Sequence, residues 1–427
     1  MSKPSSQPLA GAGSALLILT ALNLLNYIDR YVPSAVKELV KVDLNLTDTQ
    51  TALPLTSFVW VYMLASPVFG ALADRVSRPK LIAAGVLLWS LATAGAAFCT
   101  SFTSFLIARS LVGVGEAAYA TLAPAMLSDL YPADRRNAIL TRFYIAIPVG
   151  SALGFVLGGV VGNHYGWQAA FLVAGLPGII AAAFAWRLPD PPRAVSASEP
   201  AAPQPSWGSA LRTLAVNRPF VTAVAGYTAV TFASGALADW YPSYLHRSLG
   251  MDVGRAGLVV GGTAVLGGIG GTIVGGLLGD RLQGRTRQPY LALSAGSMTL
   301  AVLFTAGSLL LRTEAAVIAC ILCAQFFMWC YNGPINAMIA NATGSALRAR
   351  AFALSILTIH LFGDSISPTI VGRISDVLAA SGKGEPLALA LWLVPIAMAT
   401  GAAIWAWGWR RLPSDPAADG MQPHLAA

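Results

Sequence analysis

Apolar residues run through this chain in long stretches, interrupted by short clusters of charged and turn-forming residues. A helix that crosses a bilayer needs about 20 mostly apolar residues, so each stretch predicts one span. Twelve follow. The first six lie at 12–38, 50–74, 80–100, 103–130, 138–162 and 167–187. The second six lie at 219–246, 254–280, 289–311, 314–341, 349–380 and 386–410. One long polar segment separates the two sets. Arg187 to Pro205 carries Pro189, Pro191, Pro192, Pro200, Pro203 and Pro205 and reads as a disordered linker. Trp207 to Val216 reads as a short helix lying at the membrane surface. The expected organisation is an all-α membrane protein: a six-helix bundle over 1–187, a cytoplasmic linker with its surface helix over 188–218, a second bundle over 219–411 and a cytoplasmic tail over 412–427.

Composition narrows the class. Hydrophobic residues make up 56% of the 427 and charged ones 11%, against roughly 25% charged in a soluble domain. No soluble catalytic domain fits between the spans. No metal-ligand cluster or nucleophile–base pair stands out either, so an enzyme is not expected. The net charge of +8 is distributed by side rather than at random. With the N-terminus inside, 18 of the 27 Lys and Arg fall on the cytoplasmic side, among them Arg75, Arg78, Lys80, Arg135, Arg136, Arg285, Arg287, Arg410 and Arg411. Six fall on the other side: Lys37, Lys41, Arg247, Arg255, Arg312 and Lys383. That bias predicts a multi-pass protein of the inner (plasma) membrane with both termini cytoplasmic, and it accounts for the charge without a nucleic-acid partner. The uncharged stretch after Lys3 runs to Asp29, too long for a cleavable signal. Cys99, Cys320, Cys323 and Cys330 lie in apolar runs and read as helix packing, not as disulfides or a zinc site.

The two sets of spans look like repeats. Gly70-Ala-Leu-Ala-Asp74-Arg75 closes the second helix, and Gly276-Leu-Leu-Gly-Asp280-Arg281 closes the eighth. Paired bundles of this kind are the signature of a transporter with a central site. Gly70 would let a neighbouring helix approach closely, Asp74 can sit against a helix N-terminus, and Arg75, Arg78 and Lys80 hold the turn on the cytoplasmic side. Near the end of the eleventh helix, Arg373 and Asp376 read as gate or snorkelling charges.

Gly70-Ala-Leu-Ala-Asp74-Arg75-Val-Ser-Arg78-Pro-Lys80 resembles the cytoplasmic loop motif of the major facilitator superfamily, with Ser77 in place of the usual second glycine. Leu106 to Ala117 resembles the fourth-helix motif, and Gly166-Trp167-Gln168-Ala-Ala-Phe171 the usual opening of the sixth helix. The resemblance implies the major facilitator fold, twelve helices in two pseudo-symmetric six-helix bundles. It also implies that the Gly70–Lys80 cluster, with Asp280 and Arg281, latches one conformation. Asn26-Tyr27-Ile-Asp29-Arg30, Gly113-Val-Gly115-Glu116 and His360-Leu-Phe-Gly363-Asp364-Ser-Ile-Ser367-Pro368 are similar to the spinster branch. That resemblance implies a carrier of sphingosine-1-phosphate or lysophospholipid-like molecules, some relatives being thought to be proton-coupled.

Ionisable residues inside spans cost about 2.5–3.5 kcal/mol each and persist where they meet water or a partner. In the first helix Asn23, Asn26, Tyr27 and Arg30 form one polar stripe at i, i+3, i+4 and i+7, flanked by Asp29. Pro33 is placed to kink or end this helix. Arg109, Gly113 and Glu116 share a stripe in the fourth helix, with about 10.5 Å of rise between the charges. Arg109 can reach either towards Glu116, past Gly113 and Gly115, or across to the first helix. Glu116 is a candidate proton acceptor, set by the competition between burial and an arginine charge. Asp29, with Arg30 as a partner, is the competing candidate, and the two can titrate as a pair. Arg30 and Arg109, with Asn26 and Tyr27, are candidate substrate contacts.

His360, Asp364 and Ser367 share one face of the eleventh helix, so His360 either bonds Asp364 locally or helps sense protonation. Tyr227, Thr231 and Ser234 align in the seventh helix, and Gln325, Trp329, Asn332 and Asn336 in the tenth. Such mixed aromatic and polar faces suit an amphipathic ligand. The seventh helix is expected to end in Asp239-Trp240-Tyr241-Pro242, as an interfacial aromatic anchor and gate. Nine glycines between Gly261 and Gly279 predict close packing of the eighth helix. Together these readings predict a monomeric secondary transporter for an amphipathic, lipid-like molecule, working by alternating access among membrane lipids. No cofactor is expected, with protons as the coupling ion. A carrier of small organic anions or drugs is the alternative.

Overall fold

The computed structural model describes residues 8–191, 207–283, 285–343 and 345–413. Among them, twelve helices are long and apolar enough to cross a membrane. The first six are α1 (Ala12–Ala35), α2 (Asp48–Leu72), α3 (Arg78–Ala96), α4 (Phe102–Leu130), α5 (Ala138–Tyr165) and α6 (Trp167–Trp186). The second six are α7 (Arg218–Leu249), α8 (Val253–Arg281), α9 (Pro289–Leu310), α10 (Glu314–Asn341), α11 (Arg350–Ala380) and α12 (Pro386–Arg411). A short helix, Lys37–Asp43, lies between α1 and α2, and the expected helix Trp207–Val216 precedes α7.

Local chemistry sets several boundaries. Thr47 accepts from the Gln50 amide while Gln50 returns to the Thr47 amide, a capping box that starts α2. Ser101 and Ser104 do the same for α4. Pro33 does not end α1, which continues to Ala35 and turns into the short helix at Val36. Within a helix, proline removes one backbone bond, here the one that would reach the Asp29 carbonyl.

The seventh helix departs from expectation. α7 runs through Pro242 to Leu249, and Asp239, Trp240 and Tyr241 are buried rather than interfacial. Helix α10 is broken at Cys330–Tyr331, so its polar face is divided between Glu314–Trp329 and Asn332–Asn341. Helix α11 widens into a single π turn at His360–Asp364, where Gly363 leaves helical geometry.

The chain divides into two compact units. The first holds α1–α6 together with Ala238–Gly261, the end of α7 and the start of α8. Within it α1 packs on α5, α2 on α4, and α3 on both α4 and α6. Trp89, Tyr119 and Phe143 anchor one part of its core and Phe105, Trp167 and Phe171 another. In the second unit α9 packs on α10 and α12. Its aromatic centre is Tyr331, with ring centroids 5.2 Å from Tyr227 and 5.4 Å from Trp405. The glycine-rich α8 packs on α10 as expected: a Cβ on Gly267 would lie 2.7 Å from that of Gln325.

The start of the expected disordered linker is tied down. Arg78 donates to Asp129 at 2.5 Å, to Asp190 at 3.3 Å and to the Pro191 carbonyl at 2.7 Å. The rest of that linker, 192–206, and the tail from 414 lie outside the described residues.

Candidate functional site

The site is built on α1 and α4 within the first unit. Gly113 is where α4 meets α2: a Cβ there would lie 2.6 Å from the Phe58 carbonyl oxygen and 3.2 Å from the Tyr62 amide. Only glycine permits backbones to approach this closely. The approach sets Arg109 and Glu116, one turn to either side of it, against the polar stripe of α1.

Two ion pairs then cross between the helices. Arg109 donates Nη1 to Asp29 Oδ1 at 2.8 Å, and Arg30 donates Nε to Glu116 Oε2 at 2.7 Å. Asp29 Oδ2 also accepts from the Thr93 hydroxyl on α3. Asp29, Arg109 and Glu116 are buried, while 22% of the Arg30 side chain stays accessible. The Arg30 guanidinium sits among three rings, 5.0 Å from the centroid of Tyr27 and 5.1 Å from those of Phe58 and Tyr62, a cation–π cage. On these two helices, Glu116 Oε1 and Asn26 Nδ2 are buried without a hydrogen-bond partner. Asn23, on the same stripe, is satisfied by the Phe143 carbonyl at 3.0 Å.

The pairing corrects one expectation. Asp29 does not pair with its neighbour Arg30, because adjacent residues on a helix point about 100° apart. Arg109 takes the route across to the first helix instead of reaching along α4 to Glu116. Phe58, Tyr62 and Thr93 were not anticipated. Phe58 and Tyr62 stand at i, i+4 on α2, a spacing that signals a shared face, but an aromatic pair in an apolar run does not reveal what it covers.

A cavity of ≈ 20 Å³ adjoins the pairs, with Arg30, Arg109, Ser34, Lys37 and Asp239 in its wall. Lys37 makes a buried ion pair with Asp239 and lies 3.8 Å from the centroid of the Trp240 ring. Asp239 also accepts from Ser34 at 2.8 Å. Beside them, Arg247 bridges Glu38 at 2.8 Å and Asp48 at 2.7 Å. Burial drives the Lys37 ammonium below its ordinary pKa, against the opposing pull of Asp239. In the sequence Lys37 counts only as one of six positive charges on the non-cytoplasmic side. Its role as a partner of Asp239 is visible only when residues 202 positions apart meet.

The second unit holds the remaining candidates. His360 Nδ1 lies 2.9 and 3.0 Å from the two Asp364 oxygens, spanning the π turn. Ser367 and Thr231 are buried, and neither hydroxyl has a hydrogen-bond partner. Tyr227 joins the aromatic centre, and Gln325 lies in the contact between α8 and α10. Trp329 ends the first segment of α10, and Asn332, whose carbonyl accepts from Asn336 at 2.7 Å, begins the second.

Of the residues expected to gate the cytoplasmic side, Arg78 is buried in its bonds to Asp129 and Asp190. Asp74, Arg75, Asp280, Arg281 and Arg373 are exposed, and Asp376 is half-buried. Gly70 does not serve close approach: a Cβ there would meet only the Thr121 methyl, at 3.9 Å. No group of three or more His, Cys, Asp or Glu able to hold a metal ion occurs among the described residues.

Comparison with known proteins agrees with this architecture. Residues 19–368 match the model of the Major Facilitator Superfamily. The chain is 34% identical over 375 residues to Protein spinster of Drosophila melanogaster, covering 84% of this chain and 61% of the length of that protein. To Protein spinster homolog 1 of Rattus norvegicus it is 35% identical over 412 residues, 86% of this chain and 73% of that one. To a sphingosine-1-phosphate transporter of Danio rerio it is 30% identical over 398 residues, 88% and 77% of the two. Among solved structures it is similar to a bacterial homologue of the human lysosomal transporter spinster, inward-facing and occupied. There the TM-score is 0.81 at 21% identity, covering 96% of this chain and 98% of that one. It is also similar to a D-xylose–proton symporter, with a TM-score of 0.72 at 17% identity over 96% and 99%. The fold is thus the twelve-helix major facilitator fold, and the protein is a multi-pass membrane transporter rather than an enzyme. By sequence this chain belongs to the major facilitator superfamily and, within it, to the spinster family.

Proposed function

We propose that this transporter moves an amphipathic, lipid-like molecule with an anionic headgroup, of the sphingolipid or lysophospholipid type, by alternating access coupled to protons. One observation carries the reading: the two crossed, buried ion pairs Asp29–Arg109 and Arg30–Glu116. Each arginine is neutralised by a carboxylate. When Asp29 or Glu116 takes a proton, its arginine loses its counter-charge and can receive an anionic headgroup. Proton and anion then favour each other's binding, and such linkage is reciprocal. One charge moving through 100 mV supplies about 2.3 kcal/mol, enough for a useful gradient. The unpartnered Oε1 of Glu116 leaves an acceptor ready for that proton. The ring cage around Arg30 offers apolar surface beside the charge, as a single-chain lipid requires.

In this reading His360 and Asp364 form a second protonation site. Asn26, Tyr227, Thr231, Gln325, Trp329 and Asn332 contact the substrate, and Asp74, Arg75, Arg78, Asp280, Arg281, Arg373 and Asp376 gate the cytoplasmic side. The positive-charge bias supports an inner (plasma) membrane location with both termini inside. The protein works as a monomer with protons as its only coupling ion. The lipid class draws support from the Danio rerio relative, named a sphingosine-1-phosphate transporter. The test is uptake into liposomes driven by a proton gradient. An Asp29→Asn, Glu116→Gln double variant is expected to abolish it, and retained uptake would overturn the coupling. Competition by sugar acids, and not by lysolipids, would point instead to a small-anion carrier.

A further inference from the structure

We infer that Lys37 is a third contact for the anionic headgroup, beyond Arg30 and Arg109, and that the headgroup competes with Asp239 for it. This rests on the anionic-headgroup reading above. Lys37, Arg30 and Arg109 line one cavity, and every residue of its wall belongs to the first unit. Arg30 lies in α1 and Lys37 opens the short helix that follows it, and both line that space.

The cavity of ≈ 20 Å³ holds about one water. A headgroup is several times larger, so it can enter only if part of the wall gives way. The Lys37–Asp239 pair is the ionic element of that wall, and it is suited to exchange. A lysine ammonium is a point charge with three donors and no fixed fork. It can pass from a carboxylate oxygen to a headgroup oxygen with a small rotation of its stem. Asp239 is not stranded by the exchange, since Ser34 still donates to its other oxygen. Leaving a buried carboxylate with no donor would be far more costly.

The pair also has a mechanical consequence. Lys37–Asp239 and Arg247 with Glu38 and Asp48 tie the Ala238–Leu249 part of α7 to the short helix Lys37–Asp43 and the start of α2. Drawing Lys37 onto a headgroup removes the buried ion pair and leaves the Arg247 bridges and the Ser34–Asp239 hydrogen bond. Substrate arrival would therefore loosen these ties within the first unit by displacement, without a separate signal.

The test uses the full chain in lipid nanodiscs and two probes with the same acyl chain, anionic oleoyl lysophosphatidic acid and neutral monooleoylglycerol. Lys37→Met is expected to weaken the anionic probe about tenfold or more, the range for a hydrogen bond to a charged group, and the neutral probe less than twofold. A Lys37→Met, Asp239→Leu double variant leaves no unpaired buried charge and should behave alike. Asp239→Asn, which removes the competitor, should tighten the anionic probe severalfold. Unchanged anionic affinity in both Lys37 variants, with a loss in Arg109→Gln, would overturn this inference and leave the headgroup reading intact. If Asp239→Asn fails to tighten the anionic probe, the competition is overturned. Wild-type protein that binds both probes equally would sink the headgroup reading and this inference with it.

Discussion

Asp29 Oδ1 accepts from Arg109 Nη1 at 2.8 Å, joining the middle of α1 to α4 across 80 residues of chain. Its neighbour Arg30 turns the other way to Glu116 at 2.7 Å. Two consecutive residues therefore serve two separate pairs, and α1 is held to α4 at two points about two turns apart on α4. Neither pair is a surface ornament, because both carboxylates are buried.

Breaking the Asp29–Arg109 pair from one side strands a buried charge. Removing one partner of such a pair costs about 3–5 kcal/mol. Arg109→Gln is expected to lower the melting temperature of the purified protein sharply. Adding Asp29→Asn to it should restore part of the loss, since no uncompensated charge then remains. A thermal melt of the single and double variants checks both statements.

Glu116→Gln keeps the shape of the side chain and an oxygen for Arg30, but removes the titrating group. If Glu116 carries the coupling proton, net uptake driven by a proton gradient falls to background. Exchange of labelled for unlabelled substrate at equal pH should persist. Equal loss of both activities would mean that the residue serves binding rather than coupling.

The glycines of the first unit are not equivalent. A methyl at Gly113 would press on the α2 backbone at Phe58, whereas one at Gly70 has open contact with Thr121. Gly113→Ala should destabilise by about 1–3 kcal/mol, the usual cost of overpacking. Gly70→Ala should be neutral or slightly stabilising, since alanine favours helix by up to about 1 kcal/mol. Opposite shifts in melting temperature are the expected result.

Lys37 gives a pH dependence with a defined sign. Burial lowers its pKa in the folded protein below the ordinary value of 10.5. Between the lowered value and 10.5 the unfolded chain binds more protons, so stability rises with pH through that window. Below the window both states are protonated, and the contribution is flat. The melting-temperature difference between wild type and Lys37→Met should therefore move in favour of wild type as pH rises towards 10.5. A difference that stays constant, or moves the other way, would contradict the burial argument.

Much of the fold was legible without coordinates, for a simple reason. In lipid every backbone polar group must be bonded within its own segment, so apolar length alone predicts a helix. The expected spans at 103–130 and 314–341 match Phe102–Leu130 and Glu314–Asn341 closely. One misjudged detail was a proline inside a span. Pro242 looked like the end of the seventh helix, yet that helix continues past it to Leu249, because packed neighbours and lipid leave a helix little alternative.

What the sequence determined by itself was the list of ionisable residues within or near spans: Asp29, Arg30, Arg109, Glu116, Asp239, His360, Asp364 and Arg373. Each carries a penalty that implies a partner, but helical periodicity orders residues only within one helix. Which acid meets which base depends on how helices pack. Tertiary structure alone decided that Arg109 reaches Asp29, that Arg30 stands within the rings of α1 and α2, and that Lys37 meets Asp239 from 202 residues away. Packing at glycines such as Gly113 sets those approaches to a fraction of an ångström. Hydrogen bonds and ion pairs depend on distance that steeply, whereas the placing of an apolar span does not.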